Sequence, residues 1–216
     1  MKKSILAVAA VLIVTFLDPR SAAAQVTFTP GVKGGLSIST LRASGESWSS
    51  LKRPALGAFL SINLDKTISI QPEIYWLTQG GSALVGIFYD ELGNPVEIEY
   101  RWALSYIHLT VLDKIYPIPK GKVRPILFFG PAFDILIRAV RGSYYNGQRA
   151  DELNITDAYK GTNWDIVAGA GLEVALDKVV LVAEARYTLG MTNIVRLSPD
   201  TSQKTRALIF QAGFGF

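Results

Sequence analysis

Apolar and polar residues alternate with a period of two in eight segments of this 216-residue chain. Between Val179 and Leu189 the odd positions are apolar, whereas the even positions include Glu184, Arg186 and Thr188. Successive side chains of a β-strand point to opposite faces, so each segment predicts a strand with one apolar and one polar face. The segments are 32–40, 56–64, 68–77, 97–112, 123–139, 164–176, 179–189 and the final residues from 208 to 216.

The first 24 residues have the pattern of an export signal. Lys2 and Lys3 precede the apolar run Ile5–Leu17, and Ala22–Ala24 supplies small residues for cleavage before Gln25. The alternative, an N-terminal anchor helix, is disfavoured because the apolar run is too short to span a bilayer. We therefore predict a secretory signal peptide over residues 1–24 and a single exported β domain over residues 25–216, whose class the connectors between its strands indicate.

Composition excludes several classes of function. The chain has no Cys and one His, His108, so disulfides, thiolate metal sites and multi-histidine metal sites cannot form. Removal of residues 1–24 leaves 19 basic and 17 acidic side chains, a net charge that gives no basis for nucleic-acid binding. We predict no catalytic, metal-binding or cofactor-binding residues.

The connectors between the predicted strands favour a membrane barrel over a soluble β-sandwich. They alternate between long and short, as in outer-membrane barrels, which have short turns on the periplasmic side and long loops outside. The sequence therefore predicts an all-β fold, an eight-stranded antiparallel up-and-down barrel in the bacterial outer membrane, with both termini in the periplasm. The connectors are 41–53, 65–66, 79–95, 113–122, 141–161, 177–178 and 191–205.

The fourth segment departs from simple alternation. Its apolar positions are even up to Leu104 and odd from Ile107 onwards. One extra residue reverses the face of everything after it, so we predict a β-bulge within residues 103–106.

Several strand motifs resemble those of the bacterial outer-membrane β-barrel domain family, often called porin family proteins, which includes the secretion-associated PorT-like proteins. The resemblance covers nearly all of residues 25–216 and implies location and architecture, without a substrate. It is carried by Gly31–Ser39, Ser69–Glu73, Phe129–Pro131, Gly169–Glu173 and Glu184–Ile194.

The polar faces of the predicted strands bring charges of both signs into the lumen. The interior of an eight-stranded barrel is just wide enough for side chains to fill it, so opposite charges there are expected to pair. This favours a closed, structural lumen over the alternative, a narrow porin-like channel for ions or small solutes. The predicted network contains Lys33, Glu73, Asp134, Arg138, Asp165, Glu173, Glu184 and Arg186.

One pair of residues could carry chemistry. Ser105 and His108 raise a third alternative, a lipid-modifying hydrolase. Residues three apart on a regular strand point to opposite faces, and no third residue is identifiable that would orient the imidazole.

Loop and terminal residues suggest partners. Trp48, Tyr144, Tyr145 and Tyr159 are candidate contacts to an envelope protein or a glycan, although a solvated linker explains these loops equally well. Phe210, Phe214 and Phe216 form a terminal aromatic pattern that we expect the barrel assembly machinery to read. We predict a non-enzymatic protein of the outer-membrane bilayer, with a structural or surface-interaction role or as a subunit of an envelope or secretion assembly.

Overall fold

A computed structural model describes residues 26–43, 48–89, 91–196 and 202–216. The predicted signal peptide and its cleavage site lie outside these residues. The described chain is almost entirely β-strand, and none of its helices is long and apolar enough to cross a membrane. The strands are β1 (Thr27–Ala43), β2 (Ser49–Asn63), β3 (Ile68–Tyr89), β4 (Pro95–Ile115), β5 (Val123–Tyr145), β6 (Gln148–Asn154), β7 (Thr162–Ala175), β8 (Val180–Gly190) and β9 (Gln203–Gly215).

Eight of these strands close into a ring. Each pairs antiparallel with its neighbour in the order β1-β2-β3-β4-β5-β7-β8-β9, and β9 returns to pair with β1 from Gly31↔Gly215 to Ala43↔Gln203. The ninth strand, β6, lies outside the ring and folds back on the last residues of β5. The predicted eight-stranded up-and-down barrel is confirmed.

The two ends of the ring differ. The turn end carries the start of β1, the end of β9 and the connectors 64–67, 116–122 and 176–179. At the opposite, loop end, β3, β4 and β5 extend to 22, 21 and 23 residues and, together with β6, form a sheet that continues past the shorter strands. The predicted loops 79–95 and 141–161 are therefore largely strand, which corrects the sequence interpretation.

Burial is inverted relative to a soluble protein. Large apolar side chains such as Leu56, Phe129 and Leu172 are about half exposed on the outer surface, whereas lysine, glutamate and arginine side chains are buried inside. Outer-membrane barrels place apolar side chains against lipid and polar ones in the lumen, which is the arrangement seen here.

A bulge lies opposite the predicted residues, but in the neighbouring strand β5 and not in β4. Ser105 pairs with Arg138 and Tyr106 pairs with Leu136, so the extra residue is Ile137 of β5. The pairing of β3 with β4 is continuous through Thr78↔Ser105 and Leu77↔Tyr106. Strand β4 therefore keeps its alternation, and the bulge predicted within residues 103–106 is wrong.

Candidate functional site

The centre of the lumen holds a closed group of charged side chains. Arg186 on β8 donates to Glu73 on β3 at 2.6 Å and to Glu184 at 2.8 Å. Lys33 on β1 donates to the same two carboxylates, at 3.0 Å to Glu73 and 2.8 Å to Glu184. All four side chains are at most 1% exposed. Each carboxylate thus has two cationic partners in a region from which water is largely excluded.

A second group lies nearer the turn end. Lys114 donates to Glu173 at 2.6 Å and stands 3.8 Å from Glu184, which joins this group to the first. Arg124, at the rim, donates to the other oxygen of Glu173 at 2.9 Å. Gln71 accepts from Lys114 and donates to Glu73, so neutral side chains also bridge the two groups.

The fully buried charges of these two groups balance, and Arg124 is an additional, partly exposed cation at the rim. Three buried cations, Lys33, Lys114 and Arg186, face three buried carboxylates, Glu73, Glu173 and Glu184. A buried charge without a partner destabilises the fold by roughly several kcal/mol. The charges can therefore be kept inside only because they balance. An arrangement of this kind fills and stiffens the lumen.

Glycines on neighbouring strands make room for the aromatic rings that enclose Arg186. A Cβ at Gly57 would lie 2.5 Å from Tyr75, and a Cβ at Gly169 would lie 2.5 Å from Phe128. Since these positions lack side chains, both rings can lie flat against the wall of the barrel. The Arg186 guanidinium then lies 5.2 Å from the Tyr75 ring and 5.3 Å from the Phe128 ring.

A third polar group lies towards the loop end, where His108, Asp134 and Asn163 are directly opposite one another on β4, β5 and β7. The Nδ1 atom of His108 lies 2.5 Å from Asp134. The amide of Asn163 donates to Asp134 at 3.3 Å and to Asp165 at 2.5 Å. These four side chains are buried.

An apolar cap covers the loop end of the lumen. The connector after β6 and the connector after β8 meet through an isolated bridge between Tyr159 and Val195, and Lys160 N–H donates to Ile194 at 2.8 Å. Tyr159 and Ile194 pack on Leu104 and Tyr106 of the barrel wall. Burial raises the pKa of Tyr159 to about 12, which keeps its hydroxyl neutral.

The sheet at the loop end carries stacked arginines. The Arg101 guanidinium lies 3.9 Å from the Tyr144 ring, and that of Arg141 lies 5.0 Å from the Tyr100 ring. Arg101 also donates to Glu99 at 2.7 Å, and this hydrogen bond lowers the pKa of Glu99. The two arginine–ring contacts join β4 to β5 beyond the ring.

Seven of the eight residues predicted for the lumen network are buried inside the barrel: Lys33, Glu73, Asp134, Asp165, Glu173, Glu184 and Arg186. Arg138 is not among them, which corrects the prediction. The bulge at Ile137 turns Arg138 outward, where its side chain is 59% exposed and pairs with Glu152 of β6. The structure also separates the seven into the balanced network and the group around His108.

Ser105 and His108 lie on opposite faces of β4. The Ser105 hydroxyl is 3.0 Å from that of Thr78 on the outer surface, whereas His108 points into the lumen and is 1% exposed. No bulge in β4 brings them together.

The predicted loop contacts differ in exposure. Tyr145 is exposed, Tyr144 is half-buried beneath Arg101, and Trp48 packs edge-on against Trp102 with 4.6 Å between ring centroids. Tyr159 is buried in the cap, which corrects its prediction as an exposed contact. The terminal aromatic residues Phe210, Phe214 and Phe216 all lie on the outer surface.

Sequence reasoning missed several lumen residues. Lys114 and Tyr116 lie beyond the predicted end of the fourth strand, although they continue the even positions of His108 and Leu112. Extending the alternation would have found Lys114. Gln71 and Gln211 lie at polar positions of the alternating pattern, but nothing in a single sequence indicates which carboxylates they contact.

The closed ring, the buried charges and the apolar outer surface together define a transmembrane β-barrel of the outer-membrane type. The chain belongs to the outer membrane protein beta-barrel domain family, whose model matches residues 23–196. This confirms the predicted resemblance and supports a location in the outer-membrane bilayer.

Solved structures of small barrels are similar in fold. Neisserial surface protein A is 12% identical, with 86% of this chain and 95% of that chain covered and a TM-score of 0.50. OprG of Pseudomonas aeruginosa is 10% identical, with 89% and 96% covered and a TM-score of 0.43. Ail of Yersinia pestis, solved with the heparin analogue sucrose octasulfate, is 10% identical, with 88% and 99% covered and a TM-score of 0.39. No curated protein matches the chain by sequence.

Proposed function

We propose that this outer-membrane barrel is a non-enzymatic surface-interaction protein, and that its loop end contacts a protein partner outside the cell. In this proposal the turn end and both termini face the periplasm, because outer-membrane barrels place short turns there and extended loops outside. The barrel itself acts as a rigid support for the extended sheet.

The observation that carries the proposal is the apolar tip of the β3–β4 hairpin. Leu84, Ile87, Phe88 and Tyr89 are each more than half exposed. A strand rises about 3.3 Å per residue, which places Leu84 roughly 26 Å along β3 from Trp76 of the lipid-facing surface. The residues between them on the same face of β3 are small or polar: Thr78, Gly80 and Ser82. An exposed apolar patch separate from the lipid surface is typical of a protein contact site.

Two features weigh against the channel alternative. The balanced charge network occupies the middle of the lumen, and the Tyr159–Ile194 cap covers it from the loop end. The hydrolase alternative is disfavoured because Ser105 and His108 are on opposite faces of β4.

Site-specific photocrosslinking in intact cells tests the proposed surface. A photoreactive residue at Phe88 or Ile87 is expected to give discrete crosslinks to protein, whereas the same residue at Leu172, on the lipid-facing surface, gives none. A Phe88→Ser, Ile87→Ser double variant should abolish crosslinks formed from neighbouring position 84 while the barrel remains folded. Crosslinks that survive this variant, or that are equally frequent from Leu172, would contradict the proposal.

Conductance in planar bilayers tests the closed lumen separately. The purified protein is expected to produce no stepwise current. Reproducible single-channel steps would favour the channel alternative, whatever the crosslinking result.

A further inference from the structure

The buried group around His108 differs from the rest of the lumen in its charge balance. It contains two carboxylates, Asp134 and Asp165, and one imidazole. Among the described residues, the only ion pair of Asp134 is with His108, and Asp165 takes part in none. The network nearer the turn end balances every buried carboxylate with a lysine or arginine. A divalent cation would provide the missing positive charge.

Two atoms of this group lack partners among the described residues. His108 Nε2 and Asp165 Oδ2 are both buried without a hydrogen bond. A buried polar atom without a hydrogen-bond partner is destabilising, so such atoms in a native structure call for a ligand or another explanation. His108, Asp134 and Asp165 each offer a ligand atom, and these atoms lie within 4.8 Å of one another.

We propose that His108, Asp134 and Asp165 bind one divalent transition-metal ion of the Zn²⁺ type. One imidazole nitrogen and two carboxylate oxygens form a mixed ligand set that zinc accepts, whereas Mg²⁺ and Ca²⁺ prefer oxygen alone. Asn163 donates to both carboxylates and accepts from Thr192, so it orients the ligands without binding the ion.

The strand register makes the site rigid. His108 on β4 is directly opposite Asp134 on β5, which is directly opposite Asn163 on β7, and Asp165 follows two residues later on the same face. An ion here would connect three neighbouring strands beneath the apolar cap. Because the cap covers it, the ion has a structural role and enters during folding.

The test uses the full mature barrel folded from urea into detergent micelles, with Zn²⁺ or with EDTA. After gel filtration, protein folded with zinc is expected to retain about one ion per chain by elemental analysis. Its melting temperature should exceed that of the EDTA sample, because an ion that binds only the folded state stabilises it. Asp165→Asn and His108→Gln should lose both effects.

Two further variants sharpen the result. Asn163→Ala should weaken zinc binding about 10- to 100-fold, as expected for an orienting residue. Asp113→Asn, an equivalent change of a half-buried carboxylate on β4 outside the group, should bind zinc like the wild type. Folding of each variant is checked by heat-modifiable gel mobility, and if Asp165→Asn does not fold, His108→Gln and Asn163→Ala decide.

The alternative is that Asp134 and Asp165 share a proton. In that case folded wild-type protein retains no zinc, and EDTA does not change its melting temperature. Asp165→Asn is then as stable as the wild type or more stable, because Asn is neutral like the protonated acid that it replaces. Any of these outcomes, or zinc retained equally by wild type and Asp165→Asn, would overturn the proposal.

Discussion

Removal of the Arg186 side chain should strongly destabilise the barrel without opening it. The Arg186 guanidinium contacts both Glu73 and Glu184, and it lies between the Tyr75 and Phe128 rings. Arg186→Ala leaves Glu73 and Glu184 to share Lys33, while Lys114 and Arg124 stay paired with Glu173, so one carboxylate of the central group loses its cation. Breaking a buried pair in this way costs about 3–5 kcal/mol.

The matched control is Arg138→Ala. Arg138 also makes an arginine–carboxylate pair, at 2.7 Å to Glu152, but its side chain is 59% exposed. Exposed ion pairs contribute about 0–1 kcal/mol, so this variant should unfold almost like the wild type. A second control is the double variant Arg186→Met with Glu73→Gln, which restores the charge balance. It should recover about 1 kcal/mol or more of the lost free energy of unfolding.

The free energy of unfolding is measured by urea titration in detergent micelles or lipid vesicles, with tryptophan fluorescence and gel mobility as probes. Conductance of Arg186→Ala is recorded in planar bilayers, where no current is expected because the cap and the remaining network stay in place. The reasoning is refuted if Arg186→Ala costs no more than Arg138→Ala, or if the double variant is as unstable as the single one. A conducting Arg186→Ala barrel would show that the arginine blocks a pore.

Three other changes test separate parts of the structure. Replacing residues 142–153 with a tight turn should weaken partner crosslinks from the β3–β4 tip, because it removes the β5 residues that pair with β4 near that tip. It should leave the ring folded, because β5 pairs with β7 only up to Ile135; crosslinking and urea titration measure both effects. Gly169→Val should lower the unfolding free energy by about 1–3 kcal/mol, because the new side chain overlaps the Phe128 ring; an unchanged urea midpoint would contradict this. Asp65 accepts hydrogen bonds from Thr67 and Ile68, and the Thr67 hydroxyl lowers its pKa; its small stabilisation, measured as the difference from Asp65→Ala, should be present near neutral pH and disappear as the pH falls through that lowered pKa.

Much of the fold could be predicted from the sequence because a strand with lipid on one side and a polar lumen on the other must alternate strictly. This is why the positions of Lys33, Glu73, Glu184 and Arg186 on the polar faces followed from parity alone. Their contacts did not, since pairing Lys33 with Glu184 depends on closing β9 against β1, which joins residues 151 positions apart.

The wrongly predicted bulge in β4 has a physical cause, a change of surroundings along the barrel axis. Near His108 the lumen is polar and the outside is lipid, whereas near Leu104 the lumen is filled by the apolar cap. The apolar positions of β4 therefore change parity although the backbone stays regular, and this change imitates a bulge. The sequence gives no sign of the true bulge at Ile137. An apolar Ile137 followed by a polar Arg138 looks like ordinary alternation, although both side chains face outward.

The lipid that surrounds the barrel explains why its interior is charged. In a soluble domain the hydrophobic effect drives apolar side chains inward, but lipid is as apolar as any core, so this driving force cannot pack the inside of a membrane barrel. The strand ladder and the lumen contacts must supply the stability instead. Polar side chains in the lumen avoid lipid, and each buried ion pair between distant strands, such as Lys33 with Glu73 or Lys114 with Glu173, fixes the relative register of those strands. A lumen that does this must be densely paired. Dense pairing disfavours an ion pathway, which is why we propose the loop end as the functional surface.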